Sequence, residues 1–243
     1  SFGFAFLLYF HYFIVENNKM IEYQFSLKHW LGLGFITIAI VIASIRPLEF
    51  EAYILHQLGT VFMLAALLFT QKKIGLNFYS FALYLIFLLI HIVGAHYLYS
   101  YVPYNEWLIQ LFSFDLNQSM GWSRNMYDRL VHLACGVLLY PVLLRLFHVW
   151  LPEAKPFTLF LLVVQFIMAT SLIYEWLEWL IAIGLSPEDA ENYNGQQGDV
   201  WDAHMDMLLA TLGAASYGLL HLCWCRYKSL AKVPQPESDQ HAQ

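Results

Sequence analysis

Charge is what this 243-residue chain has least of: 12 Lys and Arg and 18 Asp and Glu make up only 12% of it, against about 25% in an ordinary soluble domain. With 59% hydrophobic residues and a mean hydropathy of +0.52, that scarcity excludes a conventional soluble domain. Cysteine is equally sparse, and Cys135, Cys223 and Cys225 all lie inside apolar runs. This excludes a disulfide framework and makes Cys223-x-Cys225 a pair of small core residues. The basic residues fall between apolar runs rather than in a patch, which excludes nucleic acid as a partner. No internal repeat is visible.

What the chain does have is long apolar runs. The first, residues 2–15, is short, lacks a basic lead and a small-residue cleavage site, and so does not read as a signal peptide; it is a truncated span or an interfacial helix. Further runs cover 30–45, 53–70, 76–99, 127–150, 157–183 and 199–225, most of them close to the roughly 20 residues a bilayer requires. The expectation is an all-α, polytopic transmembrane helical bundle of six to seven spans. It divides into an N-terminal apolar segment and polar loop over 1–29, the bundle over 30–228 and a disordered tail over 229–243. Residues 101–125 are too polar to cross. Their Trp107, Leu108, Leu111 and Phe112 have the spacing of a helix lying in the interface. Alternate sides collect nine and three basic residues, so the richer side, with the carboxyl terminus, is expected to be cytoplasmic.

The informative polar groups lie inside or at the ends of the spans. Asp199, Asp202 and Asp206 are spaced to share one face of the last helix. Asp128 and His132 are i, i+4, and Glu175 and Glu178 are i, i+3, so each pair shares a face. His91 and His96 stand about 140° apart on a helix, and His96 is nearer the rim. His11, His56, His148 and His221 read as packing residues, and Asp199 as a helix N-cap. All the carboxylates fall at the same end of the bundle, where the nearby cations are Arg124 and Arg129. Two guanidiniums cannot neutralise five or six carboxylates, and each unpaired charge in a span costs about 2.5–3.5 kcal/mol at its centre. A bound divalent cation would restore the balance. Imidazole with carboxylate suits zinc, manganese or iron.

The motifs Gly94-Ala95-His96-Tyr97, Tyr127-Asp128-Arg129-Leu130-Val131-His132, Tyr174-Glu175-Trp176-Leu177-Glu178 and Gly198-Asp199-Val200-Trp201-Asp202 resemble those of the bacterial YjdF-type inner-membrane proteins. The resemblance covers about residues 30–225. A looser similarity links the chain to VanZ-like membrane proteins, whose relatives are associated with glycopeptide tolerance. The resemblance implies a multi-pass inner-membrane protein with these residues clustered, and implies no reaction.

The expected function is therefore that of a metal-dependent membrane enzyme. His96, His132, Glu175, Asp202 and Asp206 would be metal ligands, and Glu178 or Asp128 the general base. Arg124 or Arg129 would hold the head group of a lipid or lipid-linked ester or phosphate. A di-iron oxidoreductase uses the same residues. A proton or cation transporter and a non-catalytic subunit of a membrane complex are the alternatives from other classes.

Overall fold

The computed structural model describes residues 20–186, 190 and 193–231, with side chains to Lys228. The apolar run at 2–15, the acidic positions 188, 189 and 191, and the tail from 232 lie outside the described residues. Among the described residues there are eight helices: α1 (Leu27–Ala43), α2 (Phe50–Lys73), α3 (Phe78–His96), α4 (Tyr104–Phe112), α5 (Leu116–Met120), α6 (Tyr127–Trp150), α7 (Pro156–Gly184) and α8 (Asp202–Ala231). A single antiparallel bridge, Glu22 to Leu76, is the extent of extended pairing there.

Five helices, α2, α3, α6, α7 and α8, are long and apolar enough to cross a membrane. The helix over the second apolar run, α1, has 17 residues and falls short of that length. The expected six to seven spans thus reduce to five candidates among the described residues. Much of their surface is apolar and outward-facing, as at Phe62 (75% exposed) and Leu212 (50%). Patches of that kind mark contact with lipid or with another protein rather than water.

Helix ends follow local chemistry. Glu49 accepts from the N–H groups of Glu51 and Ala52 at the head of α2, and Asn77 accepts from Ser80 N at 2.8 Å at the head of α3. Both satisfy donors that a first turn leaves open. Lys72 and Lys73 close α2, where cations complement the helix dipole. Gly75 then takes φ +73°, and a Cβ there would strike Ile21 and Tyr23, so the α2–α3 turn needs glycine.

The packing order decides where the site forms. α3 lies against α1, α2 and α6, and α6 lies against α7 and, most extensively, α8. Where α6 meets α8 the contact is backbone on backbone. A Cβ on Gly136 would fall on the Ala210 carbonyl, and one on Gly213 would fall on the Leu133 carbonyl. Ala134, Ala210 and Ala214 keep the rest of the seam small and buried. Close approach through small residues is how helices associate when lipid removes the hydrophobic driving force. His132 is one turn above Gly136, and Asp206 two turns above Gly213. Short side chains on the two helices therefore meet at the end of this crossing.

Candidate functional site

Arg124 and the first residues of α6 face the turn that leads into α8. α8 begins at Asp202, and Asp199 precedes it, accepting from Trp201 N at 2.9 Å. The three aspartates expected on one helix are thus divided between a turn and a helix. Arg124 Nη1 donates to Asp202 Oδ1 at 2.6 Å and to Asp199 Oδ2 at 3.2 Å. Arg129 Nη2 donates to Asp199 Oδ2 and lies 3.7 Å from Asp202 Oδ1. Asn125 and Gln197 tie the same two loops together: Asn125 N donates to Gln197 Oε1, and Gln197 Nε2 to the Asn125 carbonyl.

The electrostatic consequence is reciprocal. Burial works against the charge on Arg124, but the Asp202 hydrogen bond and the surrounding aspartates outweigh it and raise its pKa. The Trp201 N–H, followed by Arg129 and Arg124, holds the Asp199 carboxyl below its usual range.

One turn deeper, Asp128, His132 and Asp206 bring ligand-type atoms within 4.8 Å of one another. His132 Nε2 is 3.7 Å from Asp128 Oδ1, the i, i+4 pair on α6. Asp206 is buried, and its Oδ1 has no hydrogen-bond partner among the described residues. Glu175 Oε1, from α7, is likewise buried without a donor among the described residues, and its carboxyl lies against that of Glu178 as Asp206 does against Asp128. Glu175 feels the charges of Asp206, Asp128 and Asp202, and Glu178 those of Glu175, Asp128 and Asp206. Both glutamates also line a cleft of about 400 Å³ between α7 and α8, with Asp202 and His204 on the far side and Leu172, Trp176, Trp179 and Met207 as apolar wall.

The structure thus brings together Asp128, His132, Glu175, Glu178, Asp202, Asp206, Arg124 and Arg129. It does not bring His96 to them. His96 Nδ1 hydrogen-bonds the Ala43 carbonyl at the end of α1, 2.8 Å away. His91, on the other face of α3, reaches toward α2. Its Nδ1 hydrogen-bonds the Tyr99 hydroxyl and its Nε2 is 3.3 Å from the His56 carbonyl. His56 is buried, stacked on Tyr193, with neither ring nitrogen partnered among the described residues. Cys135, Cys223 and Cys225 are free thiols.

Two parts of the site had no assigned role at the level of sequence. Tyr174 stands edge-on to His132 at 6.0 Å between ring centroids, and the signal for it is its place beside Glu175 in a motif with Trp176. Tyr99 folds back onto His91 through a turn in which Leu98 and Tyr99 have φ near +50°. A Cβ on Gly94 would meet the Tyr99 ring at 2.6 Å, so the glycine makes room for that turn.

Buried carboxylates on the inner faces of α6, α7 and α8, paired in part with arginines at one rim, define a class: integral membrane helical bundles with a polar site set into one end. The chain belongs to the family described as predicted membrane protein (DUF2238), whose model matches residues 28–227. It is 27% identical over 183 residues to inner membrane protein YjdF of Escherichia coli (strain K12), covering 74% of this chain and 81% of that protein. No solved structure matches.

Proposed function

We propose that this protein holds a divalent metal ion between Asp128, His132 and Asp206, and that it is a hydrolase of a lipid or lipid-linked ester or phosphate. The observation that carries the reading is the buried, unpartnered Oδ1 of Asp206 beside two further ligand-type atoms from α6. A buried carboxylate oxygen without a donor is costly. The arginines do not remedy it, being engaged with Asp199 and Asp202. Paired carboxylate and imidazole from facing helices is the donor set of bundle metal sites, and zinc, manganese or iron suits it.

In this reading Glu175 is the nearest further ligand, and Asp202 is an orienting partner of Arg124. His96 is left out, because its Nδ1 is committed to the Ala43 carbonyl. A divalent ion at such a site supplies Lewis acidity and lowers the pKa of water. Glu178, on the cleft wall, would take the proton released from an attacking water. Arg124 Nη2 and Arg129 Nε have no partner among the described residues, and so retain donors for an anionic oxygen. Leu172, Trp176, Trp179 and Met207 would lie along an acyl chain and exclude water. Seven basic residues at the opposite end, Lys28, Lys72, Lys73, Arg145, Lys155, Arg226 and Lys228, against Arg46, Arg124 and Arg129 at this one, support a non-cytoplasmic site and a cytoplasmic carboxyl terminus.

The test is elemental analysis of chain purified in detergent without chelators. About one equivalent of zinc, manganese or iron is expected, falling at least fivefold in Asp206→Asn and His132→Ala variants that remain monodisperse, since loss of an inner ligand typically outweighs the 10–100-fold seen for outer partners. Wild-type protein without stoichiometric metal overturns the proposal. Two equivalents of iron with visible absorption would turn it toward a di-iron oxidoreductase. The ion pairs between the 121–126 loop and the head of α8 favour one second reading, a non-catalytic bundle in which these charges only staple helices. In that case His132→Ala would lower thermal stability and leave cellular activity intact.

A further inference from the structure

The opposite end of the bundle holds a second pocket, of about 420 Å³, that the proposed activity does not use. Arg145, His148, His221, Tyr79 and Tyr217 supply its polar lining, and no carboxylate lines it among the described residues. Asn77 and Ser80, joined at the head of α3, also line it, and most of the remaining wall is apolar, including Leu144 and Leu159.

Arg145 is the centre of the argument. Its Nε donates to the Gly75 carbonyl and its Nη2 to the Ile74 carbonyl, both at 3.2 Å, so it caps the end of α2. Peptide carbonyls satisfy hydrogen bonds without cancelling a full charge; the helix terminus offers about half of one. Nη1 makes no hydrogen bond among the described residues. The carboxylates nearby do not supply the remainder: Glu22 is paired with Lys28, and Glu153 is exposed in the α6–α7 turn. Lys72 and Lys73 at the end of α2, and Lys155 between the lining residues Ala154 and Pro156, add charge of the same sign.

We propose that this pocket binds an anionic phosphoryl group. The remaining N–H groups of the Arg145 guanidinium and the exposed His148 ring present donors to an oxyanion, whereas Tyr79 and Tyr217 hydrogen-bond each other and His221 Nε2 lies 3.5 Å from Cys225 Sγ. The apolar wall beside them suits an acyl chain. Basic pockets between transmembrane helices bind the head groups of anionic phospholipids, which makes phosphatidylglycerol the natural probe. The free anion offers the same chemistry, and the two sources separate by experiment.

The full chain in neutral detergent is unfolded thermally in the presence of phosphatidylglycerol, phosphatidylcholine or inorganic phosphate. Phosphatidylglycerol is expected to raise Tm by several degrees at saturation, and phosphatidylcholine to leave it unchanged. Arg145→Gln should weaken the phosphatidylglycerol response about tenfold, as befits a lost charge-assisted bond. Because that change also uncaps α2, His148→Glu, at an exposed lining residue, serves as the second variant and should weaken it several-fold. Phosphate that neither stabilises nor competes assigns the source to lipid; phosphate that does both at millimolar concentration assigns it to the free anion, and either result supports the site. Equal stabilisation by both lipids without a phosphate effect, or a wild-type response in both variants, overturns the proposal.

Discussion

At one end of this bundle Arg145 is held by two peptide carbonyls; at the other, Arg124 and Arg129 are held by Asp199 and Asp202. The same side chain is anchored by hydrogen bonds in both places, yet the remainders differ in sign. Carbonyls leave the basic end with charge to spare. Carboxylates neutralise the arginines at the acidic end, and Asp128, Asp206, Glu175 and Glu178 remain without an arginine of their own. Hydrogen-bond satisfaction and charge neutralisation are therefore separate requirements. On that difference a cation is proposed at one end and an oxyanion at the other.

The largest effect should come from the crossing that makes the acidic end possible. Gly213→Val places side-chain atoms where the α6 backbone now lies, and neither backbone can move aside without separating α6 from α8. Overpacking costs about 1–3 kcal/mol where side chains can shift aside, and here the obstacle is backbone on both helices, so the whole α6–α8 seam is at stake. The expected result is little monodisperse protein, read by size-exclusion chromatography in detergent. A variant that folds with wild-type thermal stability would show that the seam is looser than its glycines suggest, and that Asp206 is not held against His132 by it.

The comparison of arginines is the next and sharper test. Arg124→Gln leaves Asp202, only 4% exposed, without its principal counter-charge. Breaking such a pair from one side costs about 3–5 kcal/mol. Arg145→Gln leaves two carbonyls at a helix end short of donors, a loss nearer 1.5–3 kcal/mol. Thermal unfolding should rank them in that order, and Arg124→Gln combined with Asp202→Asn should recover much of the loss. The reverse order would mean that the acidic end already tolerates uncompensated carboxylate.

How much of this is legible in the sequence depends on the range of the contact. α6 spans the run read from hydropathy, because a helix with polar groups at one end and apolar residues beyond announces its own limits. Asp128 with His132 was legible for a related reason, since i, i+4 spacing on one helix fixes a shared face. The pairing of Arg124 with Asp202 is not, because it joins the loop before α6 to the first residue of α8, 78 positions away, and the two meet only after α6 and α8 have packed. His96 shows the same limit. The roughly 140° that five helical residues put between it and His91 sends the two rings to different neighbours, but which of them faces the carboxylates depends on how α3 is rotated among α1, α2 and α6. Both turn away from them, His91 toward α2 and His96 toward α1. The short α1, at 17 residues, reflects a third limit: hydropathy locates an apolar run but does not say whether it crosses.

The smallest expected effect concerns acid stability at the acidic rim. Asp199 has its pKa lowered in the folded chain, first by the Trp201 N–H and then by the two arginines. A group with a lowered folded pKa binds its proton more weakly in the native state than in the unfolded one. Its contribution is complete above the ordinary carboxyl value of 3.8 and is lost as pH falls below it through the folded value. Wild-type protein should therefore lose stability over that acidic window, and Asp199→Asn should flatten this component of the profile while leaving the curve above pH 5 parallel to wild type. Arg145 has no such carboxylate partner, so Arg145→Gln should leave the acid limb unchanged in shape. If Arg145→Gln altered that limb as much as Asp199→Asn does, the carboxylates and the basic pocket would be acting as one electrostatic unit, and the two ends would no longer stand as independent solutions.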